Sequence, residues 1–544
     1  MTRWGDLFTA RQKLALMALA DAIRKVWESD VTEYSSMAEI LSCCISKRAD
    51  YASSLTKWHL TFQKTTCTFG RQALPITWDF VEPSALRNTS GSYGAGMNAV
   101  LSATSTLASS TFLKGQVQQA DAANYPLPSE CASIFFTDPP YYDAIPYSDL
   151  SDYFLVWLKR SLPRHTYLSD PFEIKNPLSP KTAEIVQDET KQFKGEPKGR
   201  NFFEVQMAKT FAEGRRVLKE IGIGSVVFAH KTTEGWEALL SGIINGGWTV
   251  TGSWPIATER PGRLRSQLSA SLATSVHLIC RPRQDDAPVG NWNYVLREIP
   301  NRVVNWMERL QGEGIRGADL VFACIGPALE IFSRYSKVVD AEDREIPLGG
   351  DLMAADPHKR GYLAYVWEVI GRSALEQILG TTEAKAGKSE TGSLEEDARL
   401  TALFLWTLQS TNGNNEGKNK RRKSKSVEDE SEEIEDFEED NDESASKPKP
   451  KGFSLIFDVV RRFAQPLGIR LPDWEARIIK TEKGVVRLLP VKERAKQLFG
   501  ETGAQAVADQ LETSRSRDMQ LRLFPIEAGE FVPKIRGGGG KRLK

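Results

Sequence analysis

Between residues 115 and 280 the chain alternates short apolar runs with stretches of helical spacing, and this alternation restricts the fold more than any other feature. Strand-like runs fall at Gly115 to Gln119, Ser133 to Thr137, Ser225 to Phe228, Trp248 to Trp254 and Ser275 to Cys280. Helical spacing falls at Asp149 to Leu162, Phe203 to Glu220 and Gly235 to Asn245. Strands separated by helices are joined by crossovers, so residues 115–285 are expected to form an α/β core around a parallel, doubly wound sheet. Residues 163–200, rich in Pro, Lys and Glu, interrupt it and predict a surface insertion.

The flanks read differently. Residues 1–114 are expected to be mainly helical: a capping box at Thr9 to Gln12, with Phe8 as staple, opens a helix over about residues 10–28, and a shorter one falls at 36–46. Residues 55–80 hold several aromatics without clear period and receive no assignment. Residues 286–410 predict a helical appendage, with helices over 302–336 and 358–379. Residues 411–451 cannot bury a core, because Lys418 to Lys425 carries six positive charges and Glu428 to Glu443 twelve negative ones. They predict a disordered charged linker. Residues 452–544 predict a small C-terminal module, with a helix from Phe453 through Phe463, a strand at Val485 to Leu489 and a mobile glycine and lysine tail.

The 71 basic and 71 acidic side chains cancel, which excludes a uniformly basic nucleic-acid coat but leaves room for a local basic cleft. No apolar run reaches the roughly 18 residues of a membrane span. The first helix carries Asp21, Arg24 and Lys25 where a signal peptide would be apolar. The chain therefore reads as cytoplasmic and without a membrane partner. No two of the six cysteines have the C-x2-C spacing, so free thiols and no metal site are expected.

The chemistry is concentrated at Asp138-Pro139-Pro140-Tyr141, an acid closing an apolar strand, two prolines that cannot continue the ladder, and an aromatic. An exocyclic base amine is a poor nucleophile because its lone pair is delocalised into the ring. It attacks a methyl group more readily when acceptors hold both protons as the nitrogen becomes tetrahedral. Asp138 can hold one and the Pro139 carbonyl the other, while Tyr141 stacks on a base swung out of the duplex. The same four residues could also be no more than a turn. Against that, Asp121-Ala122 stands 17 residues upstream at the end of the run Gly115 to Gln119. Two acids at two strand ends suit a nucleotide-like cofactor and its substrate at the carboxyl edge of a sheet.

The Asp121-Ala122 step, FFTDPPYYDAIPYSDLSDYFLVWLKRSL from Phe135 to Leu162 and GWTVTGSWPIATERPGRLR from Gly247 to Arg265 resemble the amino-methyltransferases. The resemblance is closest to the large bacterial and archaeal adenine-specific DNA methylases whose full-length members carry an N-terminal domain of unknown function. WGDLF at Trp4 to Phe8 and RQALPITWDF at Arg71 to Phe80 fit as well, so it covers about residues 4 to 380. It implies a partial Rossmann-like methyltransferase sheet, S-adenosyl-L-methionine as methyl donor and adenine N6 as acceptor ahead of cytosine N4. By it, Asp138, Pro139, Pro140 and Tyr141 correspond to the catalytic motif, and Asp121 and Ala122 to the cofactor-adenine contact. Tyr142, Asp143 and Tyr147 are expected to line the base pocket, and Arg260, Arg263 and Arg265 to clamp DNA phosphates. His230 reads as a structural histidine, and Phe154 and Trp157 as core.

Such an enzyme also needs a glycine-rich turn after its first strand and an acid after its second. Neither stands ahead of Asp121, since the cluster Gly91-Ser-Tyr-Gly94-Ala-Gly96 has the wrong order and follows a turn. Met1 is therefore expected to correspond to an internal position of a longer enzyme, with a second chain or a missing N-terminal half supplying the cofactor site. Two alternatives stay open: a non-catalytic DNA-binding or scaffold subunit, and an RNA or protein amine methyltransferase.

Overall fold

The computed structural model describes residues 3–379, apart from 258–273 and a few isolated positions, together with parts of 454–496. The charged linker 411–451, the tail, and Arg260, Arg263 and Arg265 lie outside the described residues.

Helix α1 spans Ala10–Trp27 and opens with the expected capping box, in which Thr9 Oγ1 accepts from Gln12 N and Gln12 Oε1 from Thr9 N. Helix α2 (Thr32–Asp50) is longer than its sequence pattern, because Ala38, Ile45 and Ala49 all pack into one core with Leu16, Ala20 and Ile23 of α1. The unassigned stretch holds a short antiparallel pair, Trp58–His59 with Lys64–Thr65, and α3 covers Tyr93–Ala108.

The central unit runs β1 (Ala132–Thr137), α4 (Tyr147–Ser161), α5 (Arg200–Val217), β2 (Leu218–Phe228), α6 (Thr233–Asn245), β3 (Trp248–Ala257) and β4 (Thr274–Pro282). Helices α7 (Trp292–Gly312), α8 (Gly317–Ala323), α9 (Ile325–Ser333) and α10 (Tyr362–Leu379) follow. The fold is mixed α/β. Its four-stranded sheet has the order β1-β2-β4-β3. Only β1 and β2 are parallel, whereas β4 runs antiparallel to both its neighbours, so the expected all-parallel sheet is corrected to a mixed one. The reason is local: β3 and β4 are successive strands with no helix between them among the described residues, and hydrogen-bond directly to each other.

A second correction concerns Gly115 to Gln119, which forms no strand. Its one large apolar side chain, Val117, is 83% exposed, and a single such residue cannot hold a strand on a core. The outer edge of β1 consequently has no strand on it among the described residues.

Side chains alternate along the sheet. Phe135, Val226, Phe228, Val276, Leu278 and Cys280 join Phe203, Met207 and Phe211 of α5 and Leu239, Leu240 and Ile243 of α6 in the main core. The opposite side is largely open along β1 and the start of β2, where Ile134 is 69% exposed, Phe136 62% and Ile221 85%, while Val227 near the end of β2 is buried.

The helical N-terminal region shares a core with α4. Tyr153 is fully buried, stacks on Phe8 and donates from its hydroxyl to Ala49 O at 2.7 Å, and Trp157 packs edge-on against Phe8. At the far end, β5 (Ser454–Ile456), β6 (Ile479–Glu482) and β7 (Val485–Leu488) form an antiparallel sheet. Ser454–Ile456 pairs as a strand where the sequence predicts a helix, since Val486 on the neighbouring strand supplies a ladder that local spacing cannot reveal.

Candidate functional site

The peptide leaves β1 at Thr137, and the two prolines turn it along the carboxyl ends of the parallel strands. A compact turn follows, with Tyr142 N donating to Pro140 O and Ala144 N to Tyr141 O, both at 3.0 Å. Tyr142 sits in the left-handed region at φ 57°, which for a non-glycine residue is strained by about 1–3 kcal/mol and reverses the direction of the side chain. α4 then begins at Tyr147.

Asp138 is exposed, and the aromatic and hydroxyl groups around it come from three elements. Burial first, then the hydrogen bond and charge of Asp138, raise the Tyr141 phenol well above its usual pKa, and Ser275 at the start of β4 hydrogen-bonds the same phenol. Tyr147 is raised by burial and by the Asp138 charge. His277 on β4 is lowered by burial, with Asp138 opposing the shift, and its ring lies 5.9 Å from that of Phe136. The Tyr141 ring packs edge-on against Phe228 at 5.4 Å. Asp138, Tyr141, Tyr147, Ser275 and His277 thus share one neighbourhood at the end of the open side of the sheet. Ser275 and His277 were not singled out from sequence, although Ser275-Val276-His277-Leu278 alternates polar with apolar and marks a strand with one polar face.

Tyr142 and Asp143 are placed elsewhere. Tyr142 is 4% exposed, packs against Phe203 and His230, and its hydroxyl donates to Glu234 Oε1 at 2.9 Å. Burial and Glu234 raise its phenol pKa. Its ring is core, and it does not line a pocket. Asp143 Oδ1 lies 3.0 Å from Nε2 of the buried His230. A pocket of about 330 Å³ lies beside it, bounded by Pro146, Val186, Gln187, Asp188 and Glu189.

The insertion contributes those last residues because it is stitched to the turn and to α4. Gln187 N donates to Tyr142 O at 3.1 Å. Glu184 accepts from Ser148 N at 2.8 Å, Asp152 from Lys181 Nζ at 2.6 Å, and Asp149 from Lys191 Nζ at 2.6 Å. Lys198, 1% exposed, donates from Nζ to Lys181 O at 2.5 Å and Glu184 O at 2.9 Å, and burial lowers its pKa.

Asp121 stands in a turn, where its carboxylate accepts from Ala123 N at 2.9 Å, so the expected strand-end position for Asp121 and Ala122 is not formed. No glycine-rich turn follows a sheet strand upstream of β1 among the described residues, and nothing described there fits the methionine part of S-adenosylmethionine. Among the described residues no group of three or more His, Cys, Asp or Glu could hold a metal ion, and no helix is long and apolar enough to cross a membrane. Comparison with family models, with curated proteins and with solved structures returned no match.

Proposed function

We propose that this chain is the amine-activating half of an S-adenosylmethionine-dependent DNA methyltransferase acting on an exocyclic base amine, adenine N6 ahead of cytosine N4. The observation that supports it most is the position of Asp138 at the carboxyl end of β1, exposed, with Tyr141, Tyr147, Ser275 and His277 around it. In this reading Asp138 accepts one amine proton and the Pro139 carbonyl the other, so the nitrogen lone pair becomes available as the transition state forms. Tyr141 stacks on the extruded base, with Phe228 supporting its ring. Arg260, Arg263 and Arg265 contact phosphates. The segment that carries them joins Ala257 to Thr274, a pair next to Ile256 and Ser275.

S-adenosylmethionine would supply the electrophilic methyl group. Its cradle is assigned to a second chain or an N-terminal half, because Asp121 and Ala122 stand in a turn and no glycine-rich turn accompanies them among the described residues. A scaffold or DNA-binding subunit is the rival reading, and an RNA or protein amine acceptor keeps the chemistry but changes the substrate. One experiment separates them: the chain is co-purified with a partner bearing a glycine-rich strand-turn-helix, and transfer of labelled methyl to DNA, RNA and protein is measured. Label in DNA adenine supports the proposal. DNA binding with no transfer to any acceptor supports the scaffold reading instead.

A further inference from the structure

His230 is 3% exposed and meets the turn after β1 through Asp143 and the Tyr142 ring. On one side, Nδ1 lies among groups of Thr232: the backbone N–H at 3.2 Å, the hydroxyl at 3.0 Å and the carbonyl oxygen at 3.3 Å, with the hydroxyl oxygen also accepting from Gly235 N as the cap of α6. On the other side, Nε2 faces Asp143 Oδ1 at 3.0 Å. A carboxylate can only accept, so Nε2 carries a proton and donates it to Asp143.

The surroundings fix that orientation. A Cβ at position 235 would meet His230 Nδ1 at 2.4 Å, so Gly235 is what lets the ring lie against the first turn of α6. The Trp236 indole donates to His230 O at 3.0 Å, and Phe228 stacks on the ring at 6.1 Å. On the His230 side Phe228, Gly235 and Trp236 are buried and Thr232 half-buried, whereas Asp143 lies on the exposed turn directly after Tyr141 and Tyr142.

We propose that His230 is a positioning residue that holds the Asp138–Tyr141 turn at the carboxyl edge of the sheet by donating from Nε2 to Asp143. Asp143 is then a tether rather than a contact for the base. The tether itself does not depend on the methyltransferase reading, but its consequence for turnover rests on it.

The test has two arms. In the isolated chain, nitrogen-15 NMR of the imidazole should show a proton on Nε2. The Tyr142 and Gln187 amides should lose protection from hydrogen exchange by at least about 10-fold in His230→Ala and in Asp143→Leu, if the tether contributes the roughly 1.4 kcal/mol or more of a hydrogen bond to a charged group. His230→Gln and Asp143→Asn, which keep a donor and an acceptor at those positions, should restore most of it. An Nε2 without a proton, or unchanged protection in Asp143→Leu, overturns the proposal. In a methylating assembly, His230→Ala should lower kcat with little change in DNA affinity, and His230→Gln should recover it. If no assembly methylates DNA while the NMR and exchange results hold, the methyltransferase reading fails and the tether stands.

Discussion

The phenol of Tyr142 donates a 2.9 Å hydrogen bond to Glu234 Oε1, and this contact joins the turn after β1 to the first turn of α6. The residue immediately beside Tyr141 is thereby committed to the core, and the turn gains a second anchor next to the Asp143–His230 pair.

Removing that phenol gives the first prediction. Glu234 is exposed and can be rehydrated, so Tyr142→Phe should cost only the net value of a hydrogen bond, about 1 kcal/mol, in urea unfolding. Tyr142→Ala also empties part of the core and should cost about 3–5 kcal/mol. Equal losses for the two variants would show that Tyr142 is not packed as described.

Catalysis gives the second. In an assembly that methylates DNA, Asp138→Ala removes an acceptor whose interaction is strongest in the transition state, and the single-turnover rate should fall by about 10² to 10³ with DNA affinity retained. Tyr141→Ala should weaken both, since base stacking is worth roughly 1–3 kcal/mol. A parental methylation rate in Asp138→Ala would reduce Asp138 to a turn residue.

Cofactor binding gives the third. The chain alone should bind S-adenosylmethionine weakly or not at all by calorimetry, because the described residues offer no glycine turn and Asp121 is spent on Ala123 N. Tight binding would require a cradle that the proposed division of labour does not contain.

The fourth concerns pH. Burial lowers the Lys198 pKa, so in the folded chain this ammonium releases its proton before the unfolded one does. Between the lowered pKa and the ordinary value of 10.5 the unfolded state binds more protons, and stability rises with pH. The stability difference between the parent and Lys198→Met should therefore shift in favour of the parent as pH climbs through that window. Taking the difference between the two proteins removes the opposite contribution of Lys191, whose pKa is raised by Asp149 despite a burial effect that lowers it. A difference that is flat with pH would contradict the lowered pKa of the buried Lys198.

Helix and strand positions in the central unit were legible because burial imposes a period on neighbouring residues, as in Ser275-Val276-His277-Leu278. Strand direction was not, since β4 lies between β2 and β3 through hydrogen bonds that no local pattern encodes. Gly115 to Gln119 misled because one valine among polar residues satisfies a strand pattern without supplying a buried face. At the candidate site, Asp138 and Tyr141 could be read from the motif. Tyr142 could not, because a single left-handed residue sends its ring to the core rather than to the site. The grip of Lys181, Lys191 and Lys198 on α4 and the insertion was hidden by composition, as lysines in a charged segment look like solvated surface until their partners are known.

Helix α5 ends at Val217 and β2 begins at Leu218, so no loop residue separates them. The irregularity lies instead inside the strand: Ala132 pairs with Leu218 but Ile134 with Ile223, so β2 carries extra residues at its start. A Cβ at Gly222 would meet Leu218 Cγ at 2.5 Å and Lys219 O at 2.8 Å, so the chain doubles back at a glycine. A residue inserted into or deleted from the last turn of α5 would reach this bulge before it reached the regular ladder. From Ile223 onward the same change would exchange the side of Val226 and Phe228 with that of Ser225 and Val227. Length changes should accordingly be tolerated over residues 218–222 far better than over Ile223 to Phe228.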